Sequence, residues 1–294
     1  MWQNYLFPAS VEEALETLAD YEGRARLVAG GTDLVLELQE GRRQVEALVD
    51  ITRISGLDAI ELDNGMIILG AAVTYRQVID SPLLQARASV LVEASRKVGS
   101  PQIRNVGTLV GNVVNAMPAA DGAIALFALG AELEIASPDG RRWVPIEELY
   151  EGPGRSKVDP SREMVTAIRF PALDENQGSA FERLARRKAL ALPVLNVAVV
   201  VSLDDGCFRD ARIAMGPVAP TPFRARRAEE ALRGAPSSFE TIQQAAKVAT
   251  DDARPRSSLL RASAAYRKEV LAVLVRRALT RAVTKVLSRP PEFL

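Results

Sequence analysis

A chain of 294 residues is long enough for two domains, and its composition, 48% hydrophobic and 25% charged, is typical of a globular protein with a sizeable core. Lysine plus arginine equals aspartate plus glutamate at 37 each, so the net charge excludes recruitment of nucleic acid or of an anionic membrane by long-range attraction. No apolar run is long enough to span a membrane, and the amino terminus lacks the pattern of a signal peptide. We therefore expect a cytoplasmic protein with neither a nucleic-acid nor a membrane partner.

Histidine is absent, and Cys207 is the single cysteine. The chain can therefore build neither a disulfide nor a four-thiolate iron–sulfur site by itself. The missing imidazole removes the usual general base, the usual metal ligand and any Ser-His or Cys-His pair. We predict no catalytic side chain and no metal-binding residue, and we expect a bound cofactor to carry the chemistry if the chain is part of an enzyme.

The first predicted region consists of β-α-β-like material. Its elements are a helix over 10–21, a strand over 25–30, a helix over 32–41 and a strand over 45–51. Ser10 and Glu13 have the spacing of a capping box at the start of the first helix. Gly30 and Gly31 fall at the turn between the first strand and the second helix.

A second region begins near residue 55. Its predicted elements are a strand over 66–73, a short helix capped by Thr74, a helix over 89–99, a helix, strand and turn over 122–140, and a strand over 163–171. The segment 100–121 is low in charge and rich in small residues, which predicts a buried irregular loop.

The polar, turn-rich segment 172–178 predicts a boundary between a first domain, 1–173, with lobes of about 1–54 and 55–173, and a second domain, 174–294. The second domain is predicted to contain strands over 179–187, 195–203 and 207–215, and helices over 224–234, 239–251 and 262–287. Asp204-Asp205-Gly206 predicts a hairpin turn between the last two strands. The order of elements predicts an α+β fold with a three-stranded sheet followed by helices.

The stretch "AGGTD", residues 29–33, has two interpretations. Adjacent glycines at a strand end can point several amides into one concavity, and a following helix adds its positive end, so the loop could cradle a phosphate or diphosphate. Alternatively, the glycines form a tight turn in which Thr32 or Asp33 is only the helix N-cap.

A second glycine-containing stretch, "VGTLVGNVVNAMPAAD", spans residues 106–121. Its small residues allow close backbone approach of a large ligand, with Thr108 and Asn112 available as polar contacts. Asp121 precedes a helix, so it is either that helix's N-cap or an acceptor for hydroxyl groups of a ribose or ribityl chain.

Five separated motifs, in the same order as here, resemble those of the FAD-binding medium subunit of the molybdenum hydroxylases, the group of carbon monoxide dehydrogenase, xanthine dehydrogenase and 4-hydroxybenzoyl-CoA reductase. The motifs are "LVAGGTDL" at 27–34, "VGSPQIRNVGTLVGN" at 98–112, "PAAD" at 118–121, "EGPGR" at 151–155 and "DARIAMGPVAPTPFRA" at 210–225. The resemblance implies an α+β fold with a two-lobed FAD-binding domain of the vanillyl-alcohol-oxidase type and a C-terminal domain of a three-stranded sheet and helices.

The resemblance implies that two loops and a few separate residues bind FAD. The residues implied are Leu27, Val28, Ala29, Gly30, Gly31, Thr32, Asp33, Leu34, Val98, Thr108, Leu109, Val110, Gly111, Asn112, Asp121, Val165 and Arg183. The first loop would wrap the diphosphate, and Glu182 is the alternative to Arg183 as the polar flavin contact. Since histidine is absent, FAD is expected to be bound without a histidyl bond.

Two positions depart from the family pattern. Val110 stands where the family has the first of two adjacent glycines, which narrows the room for the flavin. Thr32-Asp33 replaces the His-Ser of the carbon monoxide dehydrogenase branch, which favours a general hydroxylase of the family.

The resemblance implies an electron-transfer subunit in a hetero-oligomer. A small partner subunit would carry iron–sulfur clusters and a large one the molybdopterin, and electrons would pass from the clusters through FAD to an acceptor. One alternative is a stand-alone FAD-dependent oxidoreductase of the same fold, which would need a flavin-facing base or a covalent flavin. Another is an assembly module that has lost FAD, which Val110 favours.

Overall fold

The computed structural model describes residues 2–187, 190–258 and 262–288. They form two compact units. Unit 1 contains the residues up to Ser81, Val98–Met117 and Ala131–Pro171, and unit 2 contains Pro82–Lys97, Pro118–Gly130 and the residues from Ala172 onwards. Two segments of unit 2 therefore precede the boundary at 172–178, and the domain ranges inferred from the sequence stay a prediction.

Unit 1 contains the first ten strands of the chain. They are β1 (Asn4–Leu6), β2 (Ala25–Val28), β3 (Ala47–Asp50), β4 (Ile60–Asp63), β5 (Met66–Gly70), β6 (Glu132–Ser137), β7 (Gly140–Pro145), β8 (Tyr150–Gly152), β9 (Arg155–Ser156) and β10 (Met164–Pro171). A parallel sheet has the order β1-β3-β2, and an antiparallel sheet has the order β4-β5-β10-β6-β7. Strands β8 and β9 pair separately. The α+β class expected from the sequence is therefore present.

Five helices belong to unit 1 and six to unit 2 among the described residues. In chain order they are α1 (Val11–Asp20), α2 (Leu34–Gln39), α3 (Tyr75–Asp80), α4 (Pro82–Arg87), α5 (Ser89–Ser95), α6 (Pro101–Val106), α7 (Leu109–Val114), α8 (Asp121–Leu129), α9 (Arg226–Leu232), α10 (Phe239–Asp252) and α11 (Ala264–Leu287). A short 3₁₀ helix covers Ile146–Leu149. Within the described ranges, none of the helices combines the length and apolar character needed to cross a bilayer.

The prediction of an irregular loop over 100–121 is wrong, because this segment contains α6 and α7 and the start of α8. Two side chains explain the difference. The Ser100 hydroxyl accepts a hydrogen bond from the Ile103 amide, with a proline as the first residue of α6, and the Thr108 hydroxyl accepts one from the Gly111 amide at the start of α7. These are ordinary helix-start signals, and the small residues concealed them.

The caps of the earlier helices agree with the sequence in all but one detail. Thr74 and Gln77 form a full capping box at α3. Ser10 caps α1, but the Glu13 carboxylate accepts the amide of Ala9 rather than that of Ser10, so the predicted capping box is incomplete.

Unit 2 is built on a single antiparallel sheet. Its strands are β11 (Gln177–Ala185), β12 (Pro193–Asp204), β13 (Cys207–Gly216) and β14 (Phe223–Arg224), in that order. The three predicted strands are present, and the two-residue β14 adds a fourth. The predicted hairpin turn is present as well, with positive φ at Asp205 (+45°) and Gly206 (+73°), as a tight turn between antiparallel strands requires.

Strand β12 is buried along almost its whole length, so both of its faces are covered. Side chains at alternate positions point to opposite faces. The odd-numbered residues Leu195 to Leu203 join a core made with α9, α10 and α11. The opposite face carries Asn196, whose side chain reaches the segment that leads into α8. The alternation therefore places the polar side chain of Asn196 against the segment that leads into α8.

A buried ion pair fixes the start of α9. Arg224 donates to both carboxylate oxygens of Glu229 at 2.7 and 2.8 Å, and the same carboxylate accepts the Ile213 amide at 2.8 Å. The two side chains are 8% and 7% exposed. Removing one partner would leave a desolvated charge and an orphaned strand amide.

We predict that Glu229→Ala lowers the free energy of unfolding by about 3–5 kcal/mol, because it removes the carboxylate that compensates the buried charge of Arg224. Chemical denaturation measures this value. Arg227→Ala is the control, since the Arg227 side chain is 70% exposed in its pair with Asp252 and should cost less than about 1 kcal/mol. Equal losses in the two variants would contradict the assignment of the buried pair as a determinant of stability.

Candidate cofactor-binding site

The first glycine loop joins β2 to α2, and its two glycines are required for different reasons. Gly31 has a φ of +64°, which side chains disfavour. Gly30 has an ordinary φ, but a Cβ on it would lie 2.0 Å from the carbonyl oxygen of Val106. The first glycine therefore permits contact with the second loop, and the next one permits the turn.

The backbone amides of this loop are unused. Within the described parts of the chain, none of the six amides from Ala29 to Leu34 donates a hydrogen bond. Asp33 occupies the N-cap position of α2, but its side chain accepts no capping bond. The explanation of the loop as a simple capped turn is therefore insufficient. Consecutive amides without acceptors form the kind of concavity that binds anions.

The second loop packs directly against the first. A Cβ on Gly107 would lie 3.6 Å from the Thr32 hydroxyl oxygen and 2.9 Å from the carbonyl oxygen of Ile103. The Thr108 hydroxyl holds the Gly111 amide at 3.0 Å, and a Cβ on Gly111 would come within 2.9 Å of that hydroxyl. Gly30 and Gly107 thus lie where the two loops meet, and Gly111 leaves room for the Thr108 cap within the second loop.

Two adjoining cavities of about 400 and 420 Å³ lie along these loops in unit 1. Together their linings contain all but three of the site residues expected from the sequence. The first is lined by residues 27–34, Val98, Thr108, Gly111 and Asn112, and the second by residues 27–29, Thr108, Val110, Gly111 and Val165. The shared lining suits one extended ligand with a polar and an apolar part.

Leu109, Asp121 and Arg183 are the three expected residues that line neither cavity. Leu109 is 1% exposed, so its side chain belongs to the core, and its amide bonds the Val73 carbonyl. Asp121 and Arg183 lie in unit 2, where they form a buried cluster.

The sequence analysis missed several residues that line the cavities. Arg26 and Arg43 line both, Glu37 lines the first, and Arg155 and Ser156 line the second. One signal was available for Arg26, which is a charged residue in a short strand that is otherwise apolar. The "EGPGR" motif was recognised only as a family feature, although the hairpin that it forms lines the second cavity.

Asp121 is the first residue of α8, and Ala120 is its N-cap, so the N-cap interpretation of Asp121 is wrong. Its carboxylate instead accepts from Arg183 Nε at 3.0 and 3.2 Å and from the Asn196 amide at 2.7 Å. Arg183 and Asn196 are direct neighbours across β11 and β12. The amide of Asn196 also donates to Ala119, so the cluster fixes the chain just before α8.

Burial raises the pKa of Asp121 from its ordinary value of 3.8 to about 6, and the nearby Arg183 and Asn196 oppose this shift. The carboxylate is 6% exposed, so its ionised form has lost most of its hydration. The ion pair with Arg183 compensates only part of that loss. The charge state of the cluster therefore changes within the mildly acidic range.

Comparison with known sequences assigns the family. The sequence profile described as "FAD binding domain in molybdopterin dehydrogenase" matches residues 2–173. The chain belongs to this family. A second profile, "CO dehydrogenase flavoprotein C-terminal domain", matches residues 179–282. The resemblance seen in the motifs is thereby confirmed. FAD is the cofactor of the family, and the chain is the FAD-binding subunit of a molybdopterin-type oxidoreductase.

Relatives of known sequence and structure extend over nearly the whole chain. The putative xanthine dehydrogenase FAD-binding subunit XdhB of Escherichia coli K12 is 34% identical over 95% of this chain and 96% of the relative. A carbon monoxide dehydrogenase structure from Hydrogenophaga pseudoflava, lacking the Mo-pyranopterin moiety, has a TM-score of 0.92, with 33% identity over 97% of this chain and 98% of the other. Quinoline 2-oxidoreductase from Pseudomonas putida 86 has a TM-score of 0.90, with 28% identity over 98% of each chain.

We predict that ionisation of Asp121 makes the wild type lose stability relative to Asp121→Asn as the pH rises from about 4 to 6. The folded protein binds this proton more tightly than the unfolded chain does, so the stability contributed by the proton is lost over that window and is constant above it. The slope should not exceed about 1.4 kcal/mol per pH unit. Denaturation of both proteins from pH 4 to 7.5 measures it. A pH-independent difference would contradict the raised pKa.

Proposed function

We propose that this chain binds FAD non-covalently in unit 1 and transfers electrons within a multi-subunit molybdenum-containing hydroxylase. The observation that carries the proposal is the row of six unused amides, Ala29 to Leu34, beside two adjoining cavities. FAD has an anionic diphosphate between a flavin and an adenosine. The amides match the diphosphate, and the two cavities match its two extended ends.

Each group of residues has a distinct role in this proposal. The amides of Gly30, Gly31 and Thr32 are the main donors to the diphosphate. Thr108, Gly111 and Asn112 form the second wall, and Val98, Val110 and Val165 provide apolar contacts. Asp121 and Arg183 enter as polar contacts on the strength of the family resemblance alone.

When bound, FAD supplies a redox centre that accepts and releases electrons, and the protein positions it and adjusts its potential. The cavity linings contain no histidine or cysteine among the described residues. The chain's own part is therefore to bind the cofactor, orient it and exclude water from its apolar part. Activation of the substrate is assigned to another subunit.

The proposed partners are a small subunit with iron–sulfur clusters and a large subunit with the molybdenum cofactor. Support comes from relatives described as FAD-binding subunits and as the medium chain of carbon monoxide dehydrogenase. Electrons would pass from the clusters to this FAD and then to an acceptor, in a cytoplasmic complex. The relatives are named for xanthine, carbon monoxide and quinoline, so shared family membership does not select one substrate.

We predict that Gly31→Val abolishes FAD retention while the protein still folds. A β-branched side chain is strained at a φ of +64°, and its Cβ would already lie 3.0 Å from Val35, so the amides would turn away from the cradle. Gly41→Val is the matched control, because Gly41 has a φ of +70° and open space around it. FAD released per mole of folded protein is the measurement. Normal FAD content in the Gly31 variant would show that the loop is only a turn.

We also predict that the chain alone does not oxidise the substrate of its complex. Purification of the untagged protein from its native cell should recover two further subunits, with molybdenum and iron measured by metal analysis. A single polypeptide whose FAD is reduced by substrate, without either metal, would replace the subunit assignment by the stand-alone flavoenzyme. A folded chain that never takes up FAD would instead favour the assembly module.

A further inference from the structure

Arg26 lies on β2, three residues before the first glycine loop begins at Ala29, and lines both cavities of unit 1. One of its terminal nitrogens donates to the carbonyl oxygens of Gly23 and Ala25 at 2.7 Å each. The Nε atom is buried and has no hydrogen-bond partner in the part of the chain that the structure describes. The guanidinium is therefore held in place by backbone on one side and retains unused donor capacity.

The charge of Arg26 is also uncompensated. Among the described residues, no carboxylate lies within ion-pair distance of its guanidinium. Arg43, the other cation that lines both cavities, differs because its Nε contacts the Glu37 carboxylate at 2.9 Å, and its side chain is 42% exposed. Of the two arginines that line both cavities, Arg43 is therefore paired and hydrated, whereas Arg26 has neither a counter-ion nor full hydration.

The surroundings of Arg26 disfavour its positive charge in the absence of a ligand. Burial lowers the pKa of its guanidinium, and the charge of Arg43 lowers it further, while Asp159 acts weakly in the opposite direction. Arginine nevertheless remains charged in proteins. An anion that enters the cavity beside the guanidinium would supply the missing counter-charge and so offset this cost.

We propose that Arg26 supplies the positive charge that neutralises the diphosphate of FAD, next to the amides of residues 29–34. This inference rests on the proposed function and adds a residue outside the glycine motifs. Backbone amides donate directional hydrogen bonds but carry only partial positive charge, whereas the diphosphate of FAD brings two full negative charges into a partly desolvated site. A guanidinium pre-positioned by two carbonyl groups meets that requirement without losing further side-chain freedom on binding.

The alternative role for Arg26 is purely structural, since its bonds to Gly23 and Ala25 could simply hold the turn before β2. The two roles differ in their response to salt. A cation that neutralises the ligand contributes less as ionic strength rises, because the Debye length falls from about 10 Å at 0.1 M to about 3 Å at 1 M. A turn held by backbone bonds gives a loss of affinity that salt does not change.

The experiment is titration of the apoprotein with FAD, followed by flavin fluorescence, at about 0.05 M and about 0.5 M sodium chloride. Arg26→Gln should raise the dissociation constant about tenfold or more at the lower salt and flatten the salt dependence. Arg26→Lys should retain most of the salt dependence, since it keeps the charge. Arg24→Gln is the matched control, because Arg24 also donates to a backbone carbonyl of the turn before β2 but lines neither cavity, and it should change the constant less than threefold.

Three outcomes decide between the hypotheses. A dissociation constant for Arg26→Gln equal to that of wild type would overturn the role of Arg26 and leave FAD binding by the glycine loops intact. A loss that is the same at both salt concentrations and is not restored by lysine would assign Arg26 to the turn, which also overturns the inference. Failure of the wild-type apoprotein itself to bind FAD would remove the proposed function and the inference together.

Discussion

The close approach of two backbones is the constraint on which the cofactor site depends. Gly30 lies against the carbonyl group of Val106, with room for a hydrogen but not for a methyl group. That contact places the end of β2 beside the start of α7, so both loops border the same cavities. If a side chain separated them, the amides of the first loop would face solvent rather than a pocket, and their alignment would be lost.

Charge is distributed differently in the two units. In unit 1, Arg26 has no counter-ion and lies close to backbone amides that donate no hydrogen bond. The described lining therefore contains hydrogen-bond donors without acceptors. In unit 2, both carboxylate oxygens of Asp121 are engaged by Arg183 or Asn196, while the side-chain oxygen of Asn196 is buried without a partner among the described residues. Unsatisfied donors at a pocket indicate a missing acceptor, whereas a satisfied buried pair is explained by structure alone. The first arrangement therefore supports anion binding directly, and the role of Asp121 in binding FAD depends on the family resemblance.

The sequence predicted most regular elements because their patterns are local. The apolar strand β12, its hairpin turn and the amphipathic α11 follow from periodicity and turn chemistry. The prediction for the segment 100–121 was wrong because its many small residues suggested a loop, although the hydroxyls of Ser100 and Thr108 cap two helices there. The partners of Asp121 were not predictable from the sequence, since Arg183 and Asn196 meet it through strand register rather than spacing. The role of Arg26 depends on the lack of a carboxylate near its guanidinium, which only the three-dimensional structure shows.

Val110 illustrates how the structure changes the meaning of a motif. The family's paired glycines suggest that neither position tolerates a side chain, but the two positions here have different surroundings. A Cβ on Gly111 would lie 2.9 Å from the Thr108 hydroxyl, so a side chain there would displace the cap of α7. Val110 directs its side chain towards the second cavity and is 7% exposed. Valine at this helical position also avoids the flexibility of glycine, which would cost about 0.5 kcal/mol or less relative to valine in so short a helix. The substitution therefore narrows the second cavity and leaves the amides of the first loop, on which the proposed anion site depends, untouched.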